Sequence, residues 1–250
     1  MNAVDPVALS QARGASQPPL REQTIGQALD EAVRRWPHRE ALVVVHQGLR
    51  LSWAELARLA DELAAGLLAL GLQAGDRVGI WAPNCAEWAL TQFATARAGL
   101  VLVNINPAYR RSELEYALNK VECKALVLAP ALKSSNYLEV VNDLAPELAA
   151  SPFGKLQSRA LPHLRWVIRL GEETTAGMLN FSELAGRATD EARAQAAAIG
   201  ARLHCDEPIN IQFTSGTTGF PKGATLSHRN ILNNGFFVGC LLYTSDAADE

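Results

Sequence analysis

The sequence predicts an α/β fold, a parallel sheet with covering helices, and three observations lead to it. Between Val78 and Ala129 short apolar runs alternate with amphipathic segments of helical period, the pattern of strands joined by helical crossovers. A chain of 250 residues with 48% hydrophobic residues can bury a substantial core, as one large domain or two smaller ones. A further strand pattern, Ile209 to Phe213, leads directly into a glycine- and hydroxyl-rich segment, the one stretch that carries chemistry.

In chain order, residues 1–22, rich in Gln, Ala, Ser and Pro, read as a flexible lead-in without the charged-then-apolar layout of a secretory signal. The first helical pattern starts near Thr24 and ends at Trp36-Pro37. Ala41 to His46 and Leu49 to Ser52, separated by Gln47-Gly48, suggest a short hairpin. Ser52-Trp-Ala-Glu55 forms a capping box, in which the hydroxyl and carboxylate satisfy free N–H groups at a helix start. Leu56, Leu59, Leu63, Leu67 and Leu70 follow at spacings of three and four, and Gly71 supplies the stop. Val78 to Ala82 reads as strand, Ala86 to Ala98 as helix and Leu100 to Ile105 as strand. Ser112 to Val121 reads as a helix opened by its own Ser-x-x-Glu box, and Ala125 to Ala129 as the next strand. The order implies parallel strands joined by right-handed crossovers. Residues 131–205 are less regular, with a strand expected at Trp166 to Leu170.

Composition excludes several classes of function. With 26 acidic against 23 basic residues the net charge is −3, so there is no basic field to draw in nucleic acid or an anionic membrane. The longest apolar stretch, near Ala64 to Leu72, falls short of the ~18 residues that span a bilayer. Cys85, Cys123, Cys205 and Cys240 are far apart and form no CxxC pair, so no metal-ligating set is expected and reduced thiols in the cytoplasm are. Trp53, Trp81, Trp88 and Trp166 read as core, Arg110-Arg111 as a solvated pair, and His228 as a neutral structural histidine.

The chemistry lies in Thr214-Ser-Gly-Thr-Thr-Gly-Phe-Pro-Lys-Gly223. Gly216, Gly219 and Gly223 let the backbone approach a ligand so that successive N–H groups converge on an anion. The hydroxyls of Thr214, Ser215, Thr217 and Thr218 add donors, and Lys222 adds a compact positive charge. Such a loop suits a polyphosphate. The Walker A spacing fails at two positions: Pro221 stands where its second glycine belongs, and Gly223 follows Lys222 in place of a hydroxyl. Ala224-Thr-Leu226 reads as a second strand before Ser227 caps a helix, so the loop is expected to join two strands.

The ten-residue motif resembles the signature of the adenylate-forming superfamily of acyl-CoA synthetases, luciferases and peptide-synthetase adenylation domains. Leu51-Ser-Trp-Ala-Glu-Leu56, Gly75-Asp-Arg-Val78, Ala98-Gly99, Asn106-Pro107 with Tyr109, and Glu113-Leu114 are similar to that family in the same order. Asn104 to Tyr109 and Gly223-Ala-Thr-Leu-Ser-His-Arg-Asn230 most resemble medium- to long-chain fatty-acyl-CoA ligases. The resemblance implies an N-terminal portion of a large adenylation domain over residues 23–239. It also implies ATP and Mg2+ as partners of the loop, a carboxylic acid and coenzyme A as further small-molecule substrates, and Lys222 as the residue acting in catalysis. The magnesium-holding acid, the ribose-binding aspartate and a mobile C-terminal domain with its lysine would all lie downstream of this chain, leaving it inactive alone. Residues 240–250 turn abruptly small and acidic and resemble a translated sequencing adapter, a non-native tail. A non-catalytic nucleotide- or pyrophosphate-binding module and an adenylation domain for another carboxylate are the alternatives.

Overall fold

The computed structural model describes residues 17–214 and 221–244, with side chains through Cys240. Thr24 caps α1 (Ile25–Arg35): its Oγ1 accepts the Gln27 N–H at 3.2 Å, and Gln27 returns Oε1 to the Thr24 N–H at 2.9 Å. β1 (Glu40–Val44) and β2 (Leu49–Ser52) pair antiparallel as the expected hairpin. Ser52 then caps α2 (Trp53–Ala69) through the expected box, Glu55 Oε2 accepting the Ser52 N–H at 2.8 Å. Leu56, Leu63 and Leu67 are buried, and Gly71, at φ +95°, ends the helical run.

β3 (Arg77–Trp81), α3 (Ala86–Arg97), β4 (Val101–Asn104), α4 (Arg111–Lys120) and β5 (Ala125–Leu128) follow in the expected order. The cap of α4 differs from expectation. Ser112 and Glu115 do not open the helix; Arg110 stands at the N-cap, and its N–H donates to Glu113 Oε2 at 2.8 Å. A carboxylate at the third helical position is the acceptor the free N–H needs, and once the chain leaves the preceding turn at Tyr109 that position belongs to Glu113.

The irregular stretch holds β6 (Ala131–Leu132), β7 (Ser135–Asn136), α5 (Tyr137–Leu144), β8 (Trp166–Arg169), β9 (Leu179–Asn180) and α6 (Asp190–Gly200). Only β8 was legible among these. The chain closes with β10 (Pro208–Thr214), β11 (Lys222–Ser227) and α7 (His228–Thr244). Helix α7 continues through Cys240 to Thr244, the start of the segment read as a tail, and residues 245–250 lie outside the described residues.

The main sheet has seven strands in the order β11-β10-β4-β3-β5-β8-β9, parallel throughout except for the antiparallel β10–β11 pair. β5 is buried along its whole length and β3 along all but its first residue, which is why both read as continuous apolar runs. Helix α2 packs against α1, α3 and α6, and α4 packs against α5.

At Gly66 helix α2 lies close against the backbone at Leu184. A Cβ there would lie 2.2 Å from the Leu184 carbonyl oxygen and 2.9 Å from its carbon. Alanine in a helix interior is favoured over glycine by about 1 kcal/mol, but displacing a backbone carbonyl in a packed core costs about 1–3 kcal/mol, so the clash should win. Gly66→Ala is expected to lower the melting temperature by about 5 °C, read by thermal unfolding; an unchanged or raised midpoint would show that the Leu184 turn yields freely.

Candidate active site

Parallel strands send their C-terminal ends to one edge of the sheet. Ile80 lies opposite Asn104, Trp81 opposite Leu128, and Asn104 opposite Gln212, so β3, β4, β5 and β10 end side by side. Ligand sites of open α/β sheets lie beyond this edge. The segment after β4, Asn106 to Tyr109, turns back on itself through the Tyr109 N–H to Asn106 carbonyl bond of 3.0 Å. Two buried aromatics hold it from below. Trp81 Nε1 donates to the Asn106 carbonyl at 3.1 Å, and the Tyr137 hydroxyl donates to the Pro107 carbonyl at 2.5 Å. Their rings stack with centroids 3.7 Å apart and planes 13° from parallel. Burial raises the Tyr137 phenol above its ordinary range, so it stays a donor. Trp81, read from sequence only as core, is thus both core and support. Tyr137 carried no sequence signal, because its role depends on a contact thirty residues back along the chain.

The glycine-rich segment leaves β10 at Thr214 and re-enters the sheet at Lys222. These two residues face each other across the β10–β11 pair, and the Thr214 hydroxyl donates to the Lys222 carbonyl at 3.4 Å. Both side chains are exposed, at the edge where the strand ends converge. Strand, loop, strand is the connection expected from Ala224 to Leu226, and it differs from the strand, loop, helix course of a Walker A loop. Gly223 sits in β11 opposite Phe213, where a Cβ would come within 3.1 Å of Ile211 Cγ2 and 3.5 Å of the Phe213 ring. The tight neighbour is Ile211, which a side chain here would press by a few tenths of an ångström, whereas the ring is at ordinary contact distance. Ser215, Gly216, Thr217, Thr218 and Gly219 lie outside the described residues.

The hairpin is fastened at its opposite end. The His228 N–H donates to the Glu207 carbonyl at 3.2 Å and the Arg229 N–H to the Cys205 carbonyl at 2.7 Å, tying the exit of β11 to the entry of β10. The end of the expected lead-in joins this cluster: Asn233 exchanges two hydrogen bonds with the backbone of Arg21, at 2.8 and 3.0 Å, and Glu22 pairs with Arg229 at 3.1 Å. His228 is fully buried, and its Nδ1 accepts the Ile25 N–H at 3.1 Å, a donor that α1 itself leaves free. Burial pushes its pKa down to about 4, against a smaller opposing pull from Glu207, so the neutral structural role expected for it holds.

Three potential ligand atoms, from His204, Cys205 and Asp206, lie within 4.8 Å of one another. The Arg229 guanidinium already occupies this group, reaching both Asp206 oxygens at 2.6 and 2.9 Å and Cys205 Sγ at 3.1 Å, so the cation there is arginine. None of the four cysteines is in a disulfide, and burial pushes the Cys123 thiol up to about 12.

The family profile described as AMP-binding enzyme matches residues 29–249. The chain belongs to the AMP-binding enzyme family. This family member is 46% identical over 230 residues to the medium-chain acyl-CoA ligase ACSF2, mitochondrial, of Danio rerio, covering 92% of the chain and 38% of that relative. The Homo sapiens protein of the same name is 46% identical over 231 residues, with the same two coverages of 92% and 38%. The chain therefore spans about two-fifths of the length of these relatives. The crystal structure of the anthranilate CoA ligase AuaEII in complex with anthranoyl-AMP superposes with a TM-score of 0.68 at 22% identity, over 87% of this chain and 37% of that one, a likeness of fold. Among the described residues no helix is long and apolar enough to cross a membrane.

Proposed function

We propose that the full-length protein carrying this chain activates a carboxylic acid, a medium- to long-chain fatty acid, with ATP to an acyl adenylate and then transfers the acyl group to coenzyme A, releasing AMP and pyrophosphate. The observation that supports this most is the β10–β11 hairpin: it opens the Thr214–Gly223 motif at the strand-end edge of the sheet, with Thr214 and Lys222 as its gateposts. In this reading Thr214, Ser215, Gly216, Thr217, Thr218, Gly219, Lys222 and Gly223 hold the β- and γ-phosphates of ATP, which arrives with its magnesium ion as substrate. The carboxylate attacks the α-phosphorus, the bond to the β-phosphate oxygen breaks, and negative charge grows on the departing pyrophosphate. Loop N–H groups and the Lys222 ammonium stabilise that charge. Coenzyme A thiolate then displaces AMP from the acyl group. The proposed compartment is the cytoplasm, a reducing interior in which the four cysteines stay out of disulfides.

The test is a product analysis of the full-length protein with ATP, magnesium and fatty acids of graded chain length. AMP and pyrophosphate in equal amounts, formed only when acid is present and followed by acyl-CoA when coenzyme A is added, are expected. ADP as product, or ATP binding without acid-dependent turnover, would replace the ligase by a kinase-like or purely nucleotide-binding protein.

A further inference from the structure

We infer that Tyr116 is a positioning residue for the phosphate loop, holding it at both of its ends; the inference rests on the reading of the Thr214–Gly223 segment as that loop. Tyr116 lies on α4, about a hundred positions from the loop in sequence, and no motif singles it out. Its hydroxyl donates to the carbonyl of Pro221, immediately before Lys222, at 3.2 Å. Its ring meets the ring of Phe213, immediately before Thr214, edge to face, with centroids 6.5 Å apart and planes at 63°. One side chain therefore touches the residue that enters the loop and the residue that leaves it. The Phe213 ring also lies beside Gly223 across the strand pair, its edge 3.5 Å from where a Cβ would stand.

The contact has a mechanical consequence. The Thr214 to Lys222 bond closes the mouth of the loop from within, but both residues are exposed and the bond is long, at 3.4 Å. Tyr116 supplies the fixed external reference, because α4 is seated on the core by Leu114, Ala117 and Leu118, all buried. The same helix begins with the Arg110–Glu113 cap that ends the Asn106–Tyr109 turn, so α4 links the two segments at the strand-end edge. Loss of the hydroxyl leaves the Pro221 carbonyl without this partner and lets the Lys222 end of the loop drift. The effect should fall on ATP and not on the other substrates.

The experiment compares Tyr116→Phe and Tyr116→Ala with the parent in the full-length protein, by steady-state kinetics in each substrate and by calorimetric titration with ATP. Tyr116→Phe keeps the ring and is expected to lower kcat/KM for ATP and weaken its Kd by about 2- to 10-fold, the range set by one neutral hydrogen bond, while KM for the acid and the melting temperature stay within error. Tyr116→Ala loses the ring contact too and should weaken ATP further; where it fails to fold, Tyr116→Phe decides alone. Unchanged kcat/KM and Kd for ATP in Tyr116→Phe, beside an active parent, would overturn the positioning role and leave the proposed activity standing. A parent that binds ATP without forming AMP would remove the proposed activity, and a weaker Kd in Tyr116→Phe would still support the positioning role. Equal changes in all kinetic constants with a lowered melting temperature would reduce Tyr116 to a packing residue.

Discussion

Lys222→Ala in the full-length protein is expected to slow acid-dependent pyrophosphate release by about a hundredfold, or about 3 kcal/mol of transition-state stabilisation, the typical effect of removing one preorganised donor. The reasoning starts from position. Lys222 is the first residue of β11, exposed, and directly across from Thr214 at the edge where the parallel strands end. An exposed side chain at the start of an edge strand contributes little to folding, so the melting temperature should hold while the rate falls. Lys222→Arg keeps the charge but replaces a compact ammonium by a planar fork and should recover only part of the rate. If charge on the departing pyrophosphate is what Lys222 meets, kcat and kcat/KM for ATP should fall together, because the interaction strengthens as the bond breaks. A pyrophosphate-release rate equal to that of the parent would remove Lys222 from catalysis and leave it a solvated lysine beside a tight turn.

What the sequence disclosed and what it hid divide along a physical line. The capping box at Ser52 and Glu55, the leucine spacing of α2, and the apolar runs of β3, β4 and β5 are local patterns, and each is found where it was expected. The strand-to-strand course around the loop was also readable, because Ala224 to Leu226 has strand character and Ser227 follows. Between 131 and 205 the local signals fail: β6, β7 and β9 are two residues long, and α6 is a run of alanines with weak contrast between its faces. Such elements owe their existence to what they pack on. The α4 cap was misplaced because two acids, Glu113 and Glu115, compete for one role, and only the three-dimensional exit of the Asn106–Tyr109 turn chooses between them. Around the site, the motif residues were legible and their supports were not. Tyr116, Tyr137 and Asn233 act through carbonyl or N–H groups 105, 30 and 212 positions away, and a hydrogen bond to a distant backbone leaves no trace in spacing.

The acid stability of the chain should depend on His228 to a degree unusual for one side chain. Its imidazole is buried, accepts the Ile25 N–H through Nδ1, and lies where α1 and α7 both begin. A positive ring there would lose solvation, lose its acceptor, and face the positive ends of two helices. The folded protein therefore keeps the ring neutral down to about pH 4, whereas the unfolded chain takes up the proton near the ordinary imidazole value of 6.5. Because the unfolded state binds more protons across that window, stability falls as pH drops from neutrality toward 4 and levels off below it. The loss should reach about 2 kcal/mol between pH 7 and pH 5, and about 3 kcal/mol by pH 4. Carboxylates that titrate near the lower end add their own slope, so the comparison is with His228→Gln, which can still accept from Ile25 and does not titrate. That variant should be less stable at pH 7 through poorer packing, yet lose about 2 kcal/mol less than the parent on going to pH 5, read by urea unfolding at the two pH values. Parallel losses in parent and variant would mean that the ring is protonated in the folded state, and that the bond to Ile25 has been exchanged for another before the chain unfolds.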